Sequence, residues 1–444
     1  MTVSVTVADS DQPVGDRAEP PPPQSLWRHG DFLKFWFGET VSLFGTQVTT
    51  LALPLTAVSV FDAGPQEVGL LRFLQLVPYP VLGLLFGVWV DRLRRRPLLI
   101  AANLTRMVLI GLIPVLHALH HLSMGTLLVL AAAIGSASVL FDVSWMSFVP
   151  TVVKDPRLYV EANQKLGVTS SSADVAGPGL AGLLISVMSA PTALAVDAFS
   201  YLASLVTLIR VRTPEPRPAP TGARRHLGAE LREGVRWVFG HRILRPLALI
   251  APLCNFSLVI VWTVFLLYAV RAEHLSPALI GVVFSASSVG GLAGGLLAGR
   301  VVKRFPLGRA YAFSMSAIFL GPLLILLAHG PRPVLVAMFT ASFFLSYAGL
   351  GVAGVIMVSL RQTCTPPSLT GRMNAAFRTM LFGGGSLGGL SGGLLVGAVG
   401  LHQALVVVAV GSATVVGLLA LSPVSRLRGL PEPTATAALS EGQV

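Results

Sequence analysis

Apolar stretches of about 20 residues recur along the chain from Phe32 to Pro423, separated by short polar breaks. At roughly 1.5 Å of rise per residue, that length crosses a hydrocarbon layer of about 30 Å as a helix. The pattern predicts twelve spans, at 32–60, 67–90, 98–119, 123–149, 164–187, 191–211, 246–270, 277–300, 309–329, 333–360, 372–398 and 402–422. Helices are expected because an open sheet edge would leave backbone N–H and C=O groups unsatisfied in lipid. Glycine and proline inside many spans agree, since membrane helices tolerate both. The expected fold class is all-α integral membrane.

The basic residues give this pattern an orientation. One alternate set of breaks carries Arg92, Arg94, Arg95 and Arg96; Lys154 and Arg157; nine arginines from Arg210 to Arg245; Arg300, Lys303, Arg304 and Arg309; and Arg361 with Arg372. The other set offers only Arg271 and Arg332. By the positive-inside rule the first set is cytoplasmic, which places both termini inside a cell (inner or plasma) membrane.

The longest break divides the chain into two bundles of six spans, 32–211 and 246–423, joined by a cytoplasmic linker over 212–245. Within the linker, Pro214 to Pro220 reads as extended chain, and Ala229 to Phe239 as a short amphipathic helix on the membrane surface. Residues 1–31 are polar and proline-rich and are expected as a disordered cytoplasmic tail, with a second tail over 424–444. Asp9, Asp11 and Asp16 spoil the basic region that a secretory signal would need.

Composition narrows the function. With 53% hydrophobic and 12% charged residues and a mean hydropathy of +0.74, the chain has too little charged surface for a soluble protein. The net charge of +12 sits in the basic breaks, and no basic face on a soluble domain points to nucleic acid. Cys254 and Cys364 make neither a disulfide framework nor a metal cluster. No phosphate-binding Gly-x-x-x-x-Gly-Lys-Ser/Thr loop is present. Gly349-Leu-Gly351-Val-Ala-Gly354 fits a dinucleotide fingerprint by pattern but lies inside a span without a preceding strand, and reads as helix packing. His117, His120 and His121 at an outer turn read as a metal site or as solvated loop histidines. No cofactor and no resident metal are expected.

Three segments carry more specific chemistry. After the second span the chain reads Gly87-Val-Trp-Val-Asp91-Arg92-Leu-Arg-Arg95-Arg96-Pro97, one carboxylate among four guanidiniums at a helix end. Exposed ion pairs of this kind are individually weak and can break and remake as helices slide. A reading as plain positive-inside anchoring stands beside the switch reading. A decayed copy follows the eighth span, Gly295-Leu-Leu-Ala-Gly299-Arg300-Val-Val-Lys303-Arg304, with glycine where the acid would stand. The fifth span holds Asp174-Val-Ala-Gly177-Pro178-Gly179-Leu-Ala-Gly182, whose small residues permit close helix contact and whose proline permits a bend.

Taken together these segments resemble the major facilitator superfamily. The loop at Asp91 resembles its Gly-x-x-x-Asp-Arg-x-x-Arg-Arg signature, and Gly177-Pro178 its Gly-Pro-x-x-Gly element of exporters. Ser42 to Pro54, Phe141-Asp142-Val143 and Glu161-Ala-Asn163 are similar to the macrolide-efflux and siderophore-export branch. Thr46 stands where many relatives carry an acid, and Ala131 where an arginine is often tied to proton transfer. The resemblance implies two pseudo-symmetric six-helix bundles, a site near midplane between them and alternating access. It also implies Gly87, Asp91, Arg92, Arg95 and Arg96 as a conformational switch.

Charges inside spans cost roughly 2.5–3.5 kcal/mol on insertion scales, so each is a functional candidate. In the first half they are Glu39, Arg72, Arg106, Asp142, Asp174 and Asp197, and no acid lies in a second-half span. By depth, Asp142 is expected to pair with Arg106, and Asp197 with Arg72, leaving Asp174 or Glu39 for proton coupling. The first of these pairs reads equally as a structural bridge. Phe44, Tyr79, Trp145, Met146, Phe256, Trp262, Phe265 and Tyr268 are candidates for the cavity wall, with lipid-facing or packing roles as the plainer reading.

The function expected is proton-driven efflux of a small amphipathic compound (drug, siderophore or secondary metabolite) by a monomer in the lipid bilayer. Import of a small solute, or a non-transporting scaffold or scramblase, stays open. An enzyme is not expected, since no nucleophile with its base or metal-spaced acids lies within the spans.

Overall fold

In a computed structural model, which describes residues 26–215, 227–366, 369–420 and 423–429, the chain is helical, with no strand among those residues. The α-helices are α1 (Gly30–Phe61), α2 (Pro65–Leu76), α3 (Pro78–Arg92), α4 (Arg95–Ala118), α5 (Met124–Val152), α6 (Tyr159–Met188), α7 (Ala190–Arg210), α8 (Leu227–Gly240), α9 (Leu244–Arg271), α10 (Pro277–Arg304), α11 (Leu307–Leu326), α12 (Arg332–Thr363), α13 (Thr370–Val399) and α14 (Leu401–Ala420). Among the described residues, 10 of these are long and apolar enough to cross a membrane. The other two expected spans take a different form. The second is split at Val77, because Pro78 lacks an N–H and its ring cannot sit against the preceding turn. The twelfth is α14, whose apolar stretch runs over Leu401–Gly417.

Outward faces are apolar, as a lipid solvent requires: Val129, Val187 and Phe199 are each about two-thirds exposed or more. Helix ends are fixed locally. The Ser123 hydroxyl accepts from the Thr126 N–H at the start of α5, and Pro65 and Pro277 occupy first-turn positions where an N–H would go unused.

The linker and tail expectations need adjustment. Helix α8 covers the expected 229–239 segment, but it docks on protein instead of lying free on a surface. A methyl group at Gly234 would stand 2.6 Å from the Arg372 carbonyl oxygen, Glu233 pairs with Arg372 at 2.6 Å, and Val238 is fully buried. The extended stretch expected from Pro214 to Pro220 lies mostly outside the described residues, as do residues 1–25 and 430–444. From Leu26 onward the expected tail is packed: Leu26 is fully buried, and Trp27 meets Trp36 edge-on with ring centroids 5.7 Å apart.

The two halves meet at one end through two matched crossings, α2 on α13 and α6 on α10. Gly69 is the fifth residue of α2 and Gly281 the fifth of α10, each following a helix-starting proline. Their partners, Gly393 and Gly182, each lie six residues before the last residue of α13 and α6. A methyl group on Gly69 would stand 2.7 Å from the Gly393 Cα and 2.9 Å from the Gly389 carbonyl oxygen. One on Gly281 would meet the Pro178 carbonyl oxygen and stand 3.1 Å from the Gly182 Cα. Only glycine permits backbones this close. Beside these crossings the Ala278 N–H donates to the Ser186 hydroxyl at 3.2 Å. The Arg271 guanidinium reaches Asp62 Oδ1 at 3.1 Å and the Ala63 carbonyl at 2.6 Å, tying α9 to the end of α1.

Replacing Gly69 or Gly281 by leucine should therefore open this end. Overpacking costs about 1–3 kcal/mol, and each 1.4 kcal/mol shifts a two-state equilibrium tenfold. Spin labels at Glu67 and His402 should show a longer, broader distance distribution in Gly69→Leu than in the parent. An unchanged distribution would mean that the crossing does not set the closure.

Candidate functional site

Below the two crossings the halves part around a cavity of about 690 Å³. Its wall draws on α1 (Gln47, Thr50), α2 (Arg72), α6 (Ser171, Asp174), α9 (Asn255, Trp262), α10 (Phe284, Ser287) and α12 (Tyr347). Leu292 and Leu296 also line it while 43% and 70% exposed, and Leu296 lies two turns before Arg304. The mouth therefore faces the arginine-rich ends of the helices, opposite the glycine crossings. On the α13 side the halves stay joined further toward that mouth. Tyr79 stacks on Phe382 with centroids 4.2 Å apart, and Arg378 Nη2 lies 3.7 Å from Asp142 Oδ2.

Two of the six intramembrane charges line this cavity. Asp174 accepts from Gln47 Nε2 at 2.6 Å. The Arg72 guanidinium lies over the Trp262 ring, 4.7 Å from its centroid, and donates from Nη1 to Gln75 Oε1 at 3.3 Å. Trp262 stacks in turn on Phe284 at 5.2 Å. No ion pair joins Arg72 and Asp174 among the described residues.

The other four charges gather inside the first bundle, and the pairings expected for them are not those the structure makes. Asp142 accepts from the Tyr79 hydroxyl at 2.8 Å and faces Arg378 of the second half, not Arg106 in an ion pair. Arg106 is held between two rings, 3.9 Å from the Phe141 centroid and 4.4 Å from that of Tyr201, and donates to the Asn103 side chain. From there it acts on Glu39, Asp142 and Asp197 through space. Asp197 is fully buried against α1, not beside Arg72: Thr49 donates to it at 2.5 Å and Ser200 at 2.8 Å. Gly45 leaves the room, since a methyl there would strike Ser200 and Asp197. Glu39 is buried without a hydrogen bond among the described residues.

Each residue of the helix-5 element has a contact to account for it. Gly177 seats the Gln47 side chain, the one that holds Asp174, with a methyl there 2.7 Å from Gln47 Cβ. The Pro178 carbonyl faces Gly281, a methyl on Gly179 would lie 3.0 Å from Ser285 Oγ, and Gly182 forms the crossing with α10. The element thus clamps α6 between α1 and α10.

At the loop between α3 and α4 the side chain of Asp91 lies outside the described ones, Arg92 is exposed, and no atom crowds Gly87. Among the described side chains, a carboxylate that engages this loop is Glu215, beyond α7. It accepts from the Arg95 N–H at 2.6 Å and the Arg96 N–H at 3.1 Å, groups left unpaired at the start of α4. Arg96 also donates to the Leu208 and Ile209 carbonyls at 3.1 and 2.6 Å, closing the far end of α7.

Of the eight aromatic and sulfur candidates, Trp262 lines the cavity. Tyr79 orients Asp142. Phe265 is fully buried among Phe284, Phe339 and Phe343, because its face of α9 turns to α10 and α12. Phe256 lies on a separate apolar groove of about 310 Å³ between α9, α13 and α14. Tyr268 donates to Glu273 at 2.6 Å at the closed end, and Trp145 packs against the buried core formed by Phe35 and Phe148. Phe44 is half-buried and away from the cavity wall, and the Met146 side chain lies outside the described ones.

Sequence reasoning missed Gln47, Asn255 and Tyr347 on the wall, and Arg378 opposite Asp142. Polar amides and a lone arginine within apolar runs were the available signal, and Arg378 stands inside the span expected over 372–398.

Comparison with known proteins agrees with this architecture. The family model described as Major Facilitator Superfamily matches residues 35–389 and 260–442. The chain is 24% identical over 382 residues to the multidrug efflux pump Tap of Mycolicibacterium fortuitum, covering 84% of this chain and 91% of that protein. It is 24% identical over 289 residues to macrolide efflux protein A of Streptococcus pyogenes, covering 64% and 71%. The crystal structure of the nucleoside transporter NupG superposes with a TM-score of 0.71 at 11% identity, covering 88% of this chain and 98% of that one. With its family model matched nearly end to end and its helices arranged around a central cavity, this chain belongs to the major facilitator superfamily as a multi-pass membrane transporter.

Proposed function

We propose that this protein exports a small amphipathic compound from the cytoplasm by alternating access, driven by the proton gradient. The observation that carries the reading is the cavity between the halves, shut by the glycine crossings at one end and open at the arginine-rich end. With the basic loops inside, the chain crosses the cell membrane twelve times, both termini are cytoplasmic, and the cavity faces the cytoplasm. The two similar efflux proteins support export as the direction. A site complete within one chain supports a working monomer.

Proton coupling is assigned to Asp174 or Glu39. Asp142 and Asp197 are engaged by hydroxyl or guanidinium donors, whereas Asp174 has the neutral amide of Gln47 and Glu39 has no hydrogen bond among the described residues. Asp174 also lies on the cavity wall, where a proton and a substrate can each change its surroundings.

In proteoliposomes with an imposed pH gradient, Asp174→Asn or Glu39→Gln should lower substrate-linked proton movement at least tenfold while substrate still binds. Normal proton movement in both amide variants would reject the assignment. For the loop at Asp91, the switch reading expects Asp91→Asn to slow turnover severalfold with substrate affinity unchanged. Parent-like turnover would reduce that loop to a positive-inside anchor.

A further inference from the structure

We infer that the central cavity takes an aromatic organic anion, with Arg72 as the residue that binds its negative group. The inference rests on the transport reading above and names the class of cargo for the same site.

Arginine stays charged at any physiological pH, so Arg72 puts a fixed positive charge within a membrane span. Such a charge is normally balanced by a carboxylate, yet none lies within ion-pairing distance of Arg72 among the described residues. Of its five N–H donors, one is used, from Nη1 to Gln75, and Nε is buried without a partner. Nε is enclosed by protein, so what an oxyanion in the cavity would supply is the counter-charge that the guanidinium lacks.

The position of the guanidinium is fixed from two sides. Its stem lies on Gly389 of α13, where a methyl group would stand 2.9 Å from the Arg72 Cγ. Its flat face lies on Trp262. That ring stacks on Phe284, which is itself almost wholly buried, so the aromatic surface beside the charge is that of Trp262. Tyr347 lines the same cavity, and its hydroxyl has no hydrogen-bond partner among the described residues. One fixed cation, one hydroxyl and an aromatic ring beside the charge together match an aromatic compound bearing a carboxylate, enolate or sulfonate. Asp174 on the same wall disfavours a second negative charge, which restricts the class to monoanions.

The test uses full-length protein in detergent, titrated calorimetrically against an empty-micelle blank. The probes are 2-naphthoate and 2-naphthylmethylammonium, which share a ring system and differ in charge. The parent protein should bind naphthoate at least tenfold more tightly than the ammonium probe. Arg72→Gln should weaken naphthoate at least tenfold and leave the ammonium probe as it was, whereas Arg72→Lys should retain most of the naphthoate affinity. Trp262→Leu should weaken both probes. A matching thermal midpoint for each variant shows that the fold is intact. If naphthoate fails to bind the parent, or Arg72→Gln binds it as the parent does, the inference is overturned. Ammonium preference in the parent would also overturn it while leaving the transport reading standing. That reading falls separately, if reconstituted protein moves neither probe and no protons.

Discussion

Two places where glycine faces glycine across the halves govern the rest of this molecule. At α2 on α13 and at α6 on α10, backbones approach more closely than any side chain would permit. Bringing the helices together there shuts one end, and their divergence below it leaves the cavity. The arrangement is the same on both sides: a helix-starting proline with glycine four residues on, met by a glycine six residues from the end of its partner. Contact through small residues gains little hydrophobic free energy in lipid and depends on packing alone. A closure of this kind can come apart and re-form without exposing unsatisfied polar groups.

Charge is distributed with the same economy. The first bundle keeps Glu39, Asp142 and Asp197 within the electrostatic reach of one arginine, Arg106, that sits between two rings instead of in an ion pair. The second half contributes Arg378 across the gap to Asp142. Asp174 and Arg72 are set apart on the cavity wall, where opening and closing change their surroundings most. The charges thus divide between a network buried inside the first bundle and two that line the cavity.

Legibility in the sequence followed the range of the interaction. The packing of the helix-5 element was readable because close helix contact depends on small residues at fixed spacing along one helix, and each of them has a matching contact. The intramembrane charges were also readable, since any ionisable residue in an apolar run stands out. Their partners were not: depth along a span says which residues share a layer, but not which way each helix is turned. Arg106 and Asp142 lie in one layer, yet the rings of Phe141 and Tyr201 hold the guanidinium. The aromatic candidates divide for the same reason: Trp262 and Phe265 are three residues apart on one helix and both meet Phe284, yet Trp262 lines the cavity and Phe265 is fully buried.

The sequence by itself determined that the chain is helical and membrane-spanning, and which loops carry the positive charge. Those properties depend on residue type and spacing, and the low dielectric of lipid enforces them one segment at a time. The tertiary structure decided which end is shut, which charges face the cavity, and that Glu215, far along the chain, reaches the start of α4. Those depend on the rotation of each helix about its own axis, which is set by packing against helices distant in the chain. The matched glycines were in the sequence all along, but only their meeting across the halves gives them a role.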